Sequence, residues 1–321
     1  MLLQRLTVWI FPVCLVVLCA GVVSGQSYPN KPIRIVAAAP GGNADFSARQ
    51  IAHGLSESLG QQVIVDNRGG SGIIAADVVA KSPPDGYTLL FYGRDIWVLP
   101  LLQNDVRYDP VKDFAPITLA VESPSILVVH PSLPVKNVKE LIALAKANPG
   151  KLNYGSSGVG SSPYLAAELF KAMAGVDIVH VPYKGAARAL PDLFAGQLQL
   201  MFNTVTLIGP NVKLGRLKAL AVTSAHRTAL VPGLPTMSES GLPGYDAVVI
   251  FSLFAPAGTP SPTINRINQE TVRVLNSPEV KERFFRAGTE VVASSPQALA
   301  ATVKSDMAKW SKVIKNAGIH G

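Results

Sequence analysis

The sequence predicts an α/β fold of two domains, each a sheet covered on both faces by helices. Three observations predict it. Short apolar runs alternate with amphipathic segments of about a dozen residues, the pattern of parallel sheets under helices. The chain has 321 residues, which suggests two domains at roughly 150 residues each. Apolar residues make up 48% and charged residues only 16%, so large cores can be filled and global disorder is excluded.

Residues 1–25 are set apart first. Arg5 is their one charge, Leu6 to Val23 is uncharged, and Val23-Ser24-Gly25 places small residues at −3 and −1 of a cleavage site before Gln26. This is the pattern of a secretory signal peptide, expected to be cleaved near Gly25. An uncleaved anchor is the alternative, opposed by Pro12 and by the polar Gln26-Ser27. Leu18 ahead of Cys19 speaks against a lipoprotein site. Cleavage removes both cysteines, Cys14 and Cys19, so no disulfide is expected. It leaves 296 of the 321 residues, and a net charge of +7 in place of +8 because only Arg5 is lost. The expected compartment is a bacterial periplasm. The positive balance points to anionic partners without saying which.

The elements follow in order. Ile33–Ala38 is a short apolar run ending at Pro40-Gly41-Gly42, read as a buried strand. Asp45 is expected to cap a helix whose Ala48, Ala52, Leu55 and Leu59 share one face, stopped by Gly60. A strand at Val63–Val65 precedes a short helix at Ile73–Ala80, and Tyr87–Tyr92 is a third strand. Ile126–Val129 is a strand, Val138–Ala147 a helix ended by Asn148-Pro149-Gly150. A strand near Leu152–Tyr154 leads to a helix from Pro163 to Ala174. Strands follow near Ile178–Val181, Leu198–Phe202 and Lys218–Thr223, with helices between them. The last third holds helices at Pro262–Leu275, Glu279–Ala287 and from Pro296 towards Ala317.

In open α/β sheets ligands bind beyond the carboxyl ends of strands, at helix N-termini. Three segments have that placement. Ala39 to Asp45 (APGGNAD) lets backbone approach a ligand, and its free N–H groups favour an anion. Tyr154 to Pro163 (YGSSGVGSSP) offers a neutral cup of amides and hydroxyls, with Ser161 or Ser162 as N-cap. His180 to Gly185 (HVPYKG) brings Tyr183 and Lys184 to a strand-to-helix turn. No P-loop lysine and no G-x-S-x-G elbow is present. The five histidines lack metal spacing, and no thiol remains after cleavage. Neither a metal nor a cofactor is expected. Scattered basic residues without a recognition motif argue against nucleic acid.

Over the whole mature length the chain resembles the substrate-binding receptors of tripartite tricarboxylate transporters, the Bug family. The residues that carry the likeness are YPNKPIRIV, APGGNAD, LGQQVIVDNRGGSGIIAADVVAKSPPDGYTLLF, YDPVKDFAPIT and PSLPVKNVKELIALAKANPGKLNYGSSGVGSS, then HVPYKGAARALPDLFAGQLQLMF, GRLKALAVTSAHR, LPTMSESGLPGYD and FAPAGTP. The resemblance implies a two-domain periplasmic-binding-protein fold, type 2-like, with a ligand cleft between two doubly wound sheets. Residues 26–124 plus 232–321 would form one domain and residues 125–231 the other. It implies a monomeric receptor, without catalysis, that hands a small carboxylate to the membrane subunits of a transporter. By the resemblance two loops would grip a ligand carboxylate, Pro40, Gly41, Gly42 and Asp45 in one and Ser156, Ser157, Gly158 and Gly160 in the other; Asn43 and Ser161 within these loops, and Tyr183 and Lys184 at the third turn, are further candidates for ligand contact. Ala39 stands where the family usually has a second Pro. Gly93-Arg94-Asp95-Ile96-Trp97 replaces a small polar run such as T-N-G, and Asn203 replaces a frequent Asp. Arg94 is expected either to meet a distal carboxylate of the ligand or to pair with Asp95 at the cleft rim. The alternatives in function are a secreted α/β enzyme using Asp45, His180 or Lys184, and a carboxylate sensor without a transport role.

Overall fold

The computed structural model describes residues 28–69 and 72–316. The leader and its cleavage site lie outside the described residues. β1 (Ile33–Ala37) leads into α1 (Asn43–Leu59), β2 (Val63–Asn67) into α2 (Ile73–Ala80), and β3 (Thr88–Gly93) into α3 (Asp95–Leu102). β4 (Phe114–Ser123) passes after one residue into β5 (Ser125–Val129). Then come α4 (Val138–Ala147), β6 (Asn153–Ser156), α5 (Ser162–Ala174), β7 (Val179–Pro182), α6 (Leu190–Phe194), β8 (Leu200–Thr204), α7 (Val205–Lys213) and β9 (Lys218–Val222). The chain closes with β10 (Val249–Pro256), α8 (Ser261–Leu275), α9 (Pro278–Arg286), β11 (Glu290–Val291) and α10 (Pro296–Asn316). Among the described residues no helix is long and apolar enough to cross a membrane.

The strands form two sheets, ordered β11-β4-β10-β3-β1-β2 and β7-β6-β8-β5-β9. The expectation of parallel sheets holds for part of each sheet and is corrected for the rest. β1 is parallel to β2 and β3, and β6 to β7 and β8. β10 is antiparallel to β3 and β4, and β5 to β8 and β9. The reason is the route of the chain. β4 runs alongside β3 in direction, so Ser123 reaches the edge where the parallel strands end. β5 therefore enters the second sheet from that same edge and must run away from it. β10 re-enters the first sheet in the same way after β9. The carboxyl ends of both parallel sets are thereby brought to one shared side.

Local signals account for much of the rest. Asn137 accepts from the Glu140 amide (2.9 Å) and starts α4. Gly60, at φ +66°, ends α1. A Cβ on Gly54 would lie 2.3 Å from Val274, so the absence of a side chain lets α1 and α8 pack closely. One apolar cluster joins residues of both sheets, from Val36 and Leu90 to Tyr154 and Phe202, with Trp310 of α10 among them. Burying such rings contributes roughly 2–3 kcal/mol each, which ties the C-terminal helix to both sheets.

Candidate functional site

The first loop follows β1. Pro40, Gly41 and Gly42 are exposed and Asn43 is partly buried. Gly41 takes φ +85°, a conformation that favours glycine. Asp45 is 6% exposed. It is not the N-cap, as the sequence suggested: Gly42 holds that position and Asp45 sits in the first turn. Its Oδ2 accepts from the Gly41 N–H (3.0 Å); its Oδ1 accepts from Arg49 Nε (2.9 Å) and Asn67 Nδ2 (2.8 Å). Burial alone would raise the Asp45 pKa, but these bonds together outweigh it and hold the carboxyl below its ordinary range. Asp45 is thus the clasp that shapes the glycine loop.

The second loop follows β6. Ser156 is fully buried, Ser157 and Gly158 are partly buried, and the N-cap of α5 is Ser161. The Gly158 N–H donates to Ser156 Oγ (3.1 Å), and Ser161 Oγ donates to the Gly158 carbonyl (2.6 Å). Gly160 lies under α3: a Cβ there would be 3.2 Å from Leu99 and 3.4 Å from Leu102. This contact brings the second loop against the helix that begins at the end of β3.

His180 opens the third strand-to-helix segment and is one of the catalytic candidates of the enzyme alternative. The structure places its Nε2 2.7 Å from Ser156 Oγ, with the ring stacked on Tyr154 (5.0 Å) and edge-on to Tyr164 (4.8 Å). Burial lowers its pKa; Glu168 opposes this and Lys171 adds to it. A lowered histidine pKa means that the unfolded chain takes up the proton first. Stability is therefore full above about pH 6.5 and falls as pH drops through the lower folded value. Denaturant unfolding between pH 7.5 and 5 should show this decline, and His180→Gln should flatten it. An unchanged slope in the variant would assign the decline to other groups.

Arg94 and Asp95 take neither of the arrangements expected from sequence. Arg94 is 5% exposed, donating from Nε to Asp306 Oδ2 (2.5 Å) and from Nη1 to the Val248 carbonyl (2.6 Å). It neither pairs with Asp95 nor extends as a free arm towards a ligand. Its partner lies 212 residues away. Asp95 is left partly buried at the start of α3, where burial pushes its pKa up to about 7 against the lowering influence of its own amide and of Arg94.

Tyr183 donates to Asp192 (2.5 Å) and flanks Gly155, while Lys184 is exposed. Asn203 is 5% exposed; its Oδ1 accepts from the Thr204 amide (2.8 Å), and its Nδ2 has no hydrogen-bond partner. The parallel pairing of Gly155 with Met201 puts Asn203 towards the same strand end from which the second loop leaves β6. A buried amide without a partner costs free energy, which a bound acceptor would recover. A groove of about 1030 Å³ lies elsewhere, between α7 and α9, lined by residues such as Val205, Thr206 and Phe285; none of the candidate residues lines it. Among the described residues no group of three or more His, Cys, Asp or Glu could hold a metal.

Two mixed sheets joined at one edge, with amide-rich strand-to-helix loops on that edge, define a periplasmic binding protein. The comparisons agree. The chain belongs to the tripartite tricarboxylate transporter receptor family, whose profile matches residues 47–319. It is 34% identical to the protein BugT of Bordetella pertussis over 303 residues, covering 93% of each chain. An adipate-bound R. palustris protein, Rpa4515, is 39% identical with a TM-score of 0.80, over 91% of this chain and 99% of that one. The malate-bound MatC of Rhodopseudomonas palustris is 31% identical with a TM-score of 0.76, over 89% and 100%.

Proposed function

We propose that this chain is a periplasmic receptor that captures a small organic carboxylate and delivers it to the membrane subunits of a tripartite transporter. The observation that carries this reading is the pair of amide-rich loops, after β1 and after β6, on the shared edge of the two sheets. Backbone amides and hydroxyls bind an anion without a counter-charge that would slow release. Relatives that hold adipate and malate support the ligand class. In this reading residues 26–124 plus 232–321 and residues 125–231 are two lobes that close as both loops touch the ligand. The protein works as a monomer, exported with its leader removed near Gly25.

Ligand contacts are assigned to Gly41, Gly42, Asn43, Ser157, Gly158 and Asn203. Asp45, Ser156 and Ser161 hold these loops in shape, and Arg94 positions α3. The test is thermal unfolding of the exported protein, stripped of co-purified ligand, against di- and tricarboxylates, amino acids and aromatic acids. A ligand at 100 times its Kd adds about 2.7 kcal/mol. No shift with any of them sinks the reading.

The Ser156–His180 contact favours a second reading, acyl transfer by a serine hydroxyl. Ser156 is fully buried and already engaged with Gly158, which weighs against it. Recovery of a bound acid unchanged after long incubation decides for the receptor.

A further inference from the structure

We propose that the hydrogen bond between Thr228 and Glu290 is a latch behind the hinge, one that opposes closure of the ligand cleft and so lowers the affinity of the receptor for its ligand. The proposal rests on the receptor reading, in which residues 26–124 plus 232–321 and residues 125–231 are lobes that close over a carboxylate.

The sheet orders fix where the latch sits. The chain crosses between the sheets at Pro124, from β4 to β5, and again between β9 and β10. In the first sheet β10, β3, β1 and β2 lie on one side of β4, and β11 lies on the other. In the second sheet β8, β6 and β7 lie on one side of β5, and β9 lies on the other. The ligand loops follow β1 and β6. β11 and β9 are therefore the edges that face away from those loops. Glu290 belongs to β11, and Thr228 to the segment after β9, where Thr236 bridges to Val222. When two lobes turn about a hinge, narrowing one side widens the other.

Thr228 is 7% exposed, and its Oγ1 donates to Glu290 Oε1 (2.5 Å). A hydroxyl donating to a carboxylate makes one of the stronger hydrogen bonds. A second bond joins the same two lobes: Thr206 Oγ1 donates to the Ala287 carbonyl (2.6 Å). A Cβ on Gly288 would lie 2.5 Å from Thr206 Oγ1, so glycine lets the lobes meet there. The groove between α7 and α9, lined by both Thr206 and Gly288, borders this junction and leaves room for the lobes to shift.

The test places nitroxide labels on β2 and β7, the outermost strands on the ligand side, through Ile64→Cys and Val179→Cys. Both positions are exposed, and the chain has no cysteine outside its leader. Pulsed electron resonance of the ligand-free protein then reads the distance between the lobes. Thr228→Val should shorten that distance relative to the wild type, and Thr228→Ser, which keeps the hydroxyl, should restore it. Thr228 Oγ1 also accepts from the Leu230 amide (3.1 Å). Glu290→Ala spares that bond and should shorten the distance as well. Affinity for adipate or malate, whichever binds, should rise roughly threefold or more in Thr228→Val, because more of the protein is already closed. An unchanged or longer distance in either variant, even with a loss of thermal stability, would overturn the proposal, as would weaker binding. If no acid binds wild type or variant, the receptor reading fails, while the ligand-free distance still decides the latch.

Discussion

Arg94→Ala and Asp306→Ala are each expected to lower folding stability by about 3–5 kcal/mol, because each strands a buried charge. The two side chains are 6% and 10% exposed. The pair does more than neutralise itself. Trp97 Nε1 also donates to Asp306 Oδ2 (3.3 Å), and the Arg94 guanidinium lies 5.7 Å from the Trp310 ring. Arg94 belongs to the end of β3, Val248 to the segment returning from the second sheet, and Asp306 to α10. One side chain therefore ties three separate parts of the chain together. Replacing both partners, Arg94→Met with Asp306→Leu, should cost clearly less than either single change, since no charge is left uncompensated. Chemical denaturation of the wild type, the two single variants and the double variant makes this comparison. A loss below about 1 kcal/mol in the single variants would mean that solvent reaches the pair.

Asp45→Ala should destabilise the protein by about 2–3 kcal/mol and weaken ligand binding by an order of magnitude or more. The carboxylate accepts three hydrogen bonds in a nearly buried site, and bonds to charged groups are the stronger ones. Arg49 is half-exposed, so its share is discounted for solvent screening. The affinity loss arises without direct contact, because the Gly41 amide loses the group that aims its loop. A depressed carboxyl pKa contributes stability above the ordinary value of 3.8 that is lost as pH falls through the lower folded value. The variant should accordingly lose part of the acid-side decline of the wild type. Stability lost with affinity unchanged would place the ligand away from this loop.

Much of the fold was legible because its causes are local. Asn137 with Glu140 marks the start of α4, and Gly60 marks the end of α1. The elements that escaped are those whose local pattern is ambiguous. α3 reads DIWVLPLL, a continuous apolar run with Pro100 inside it, and periodicity cannot separate a buried helix from a strand there. β4 contains Pro116 and exchanges partners along its length, with register shifts against β10. The site was legible in part for the same reason. Glycine-rich strand-to-helix turns advertise themselves, whereas partners contributed by distant segments do not.

By itself the sequence determined the alternation of strands and helices, the two glycine-rich loops and the family to which they belong. These depend on residues within a few positions of one another, whose turn, cap and burial preferences act over one or two turns of chain. Only the tertiary structure decided the mixed direction of the sheets, the commitment of Arg94 to Asp306, and the contact of His180 with Ser156. Each of these depends on which distant segment packs closest. A buried charge or hydroxyl takes the partner that excludes water best, and that choice is made when the chain folds back on itself.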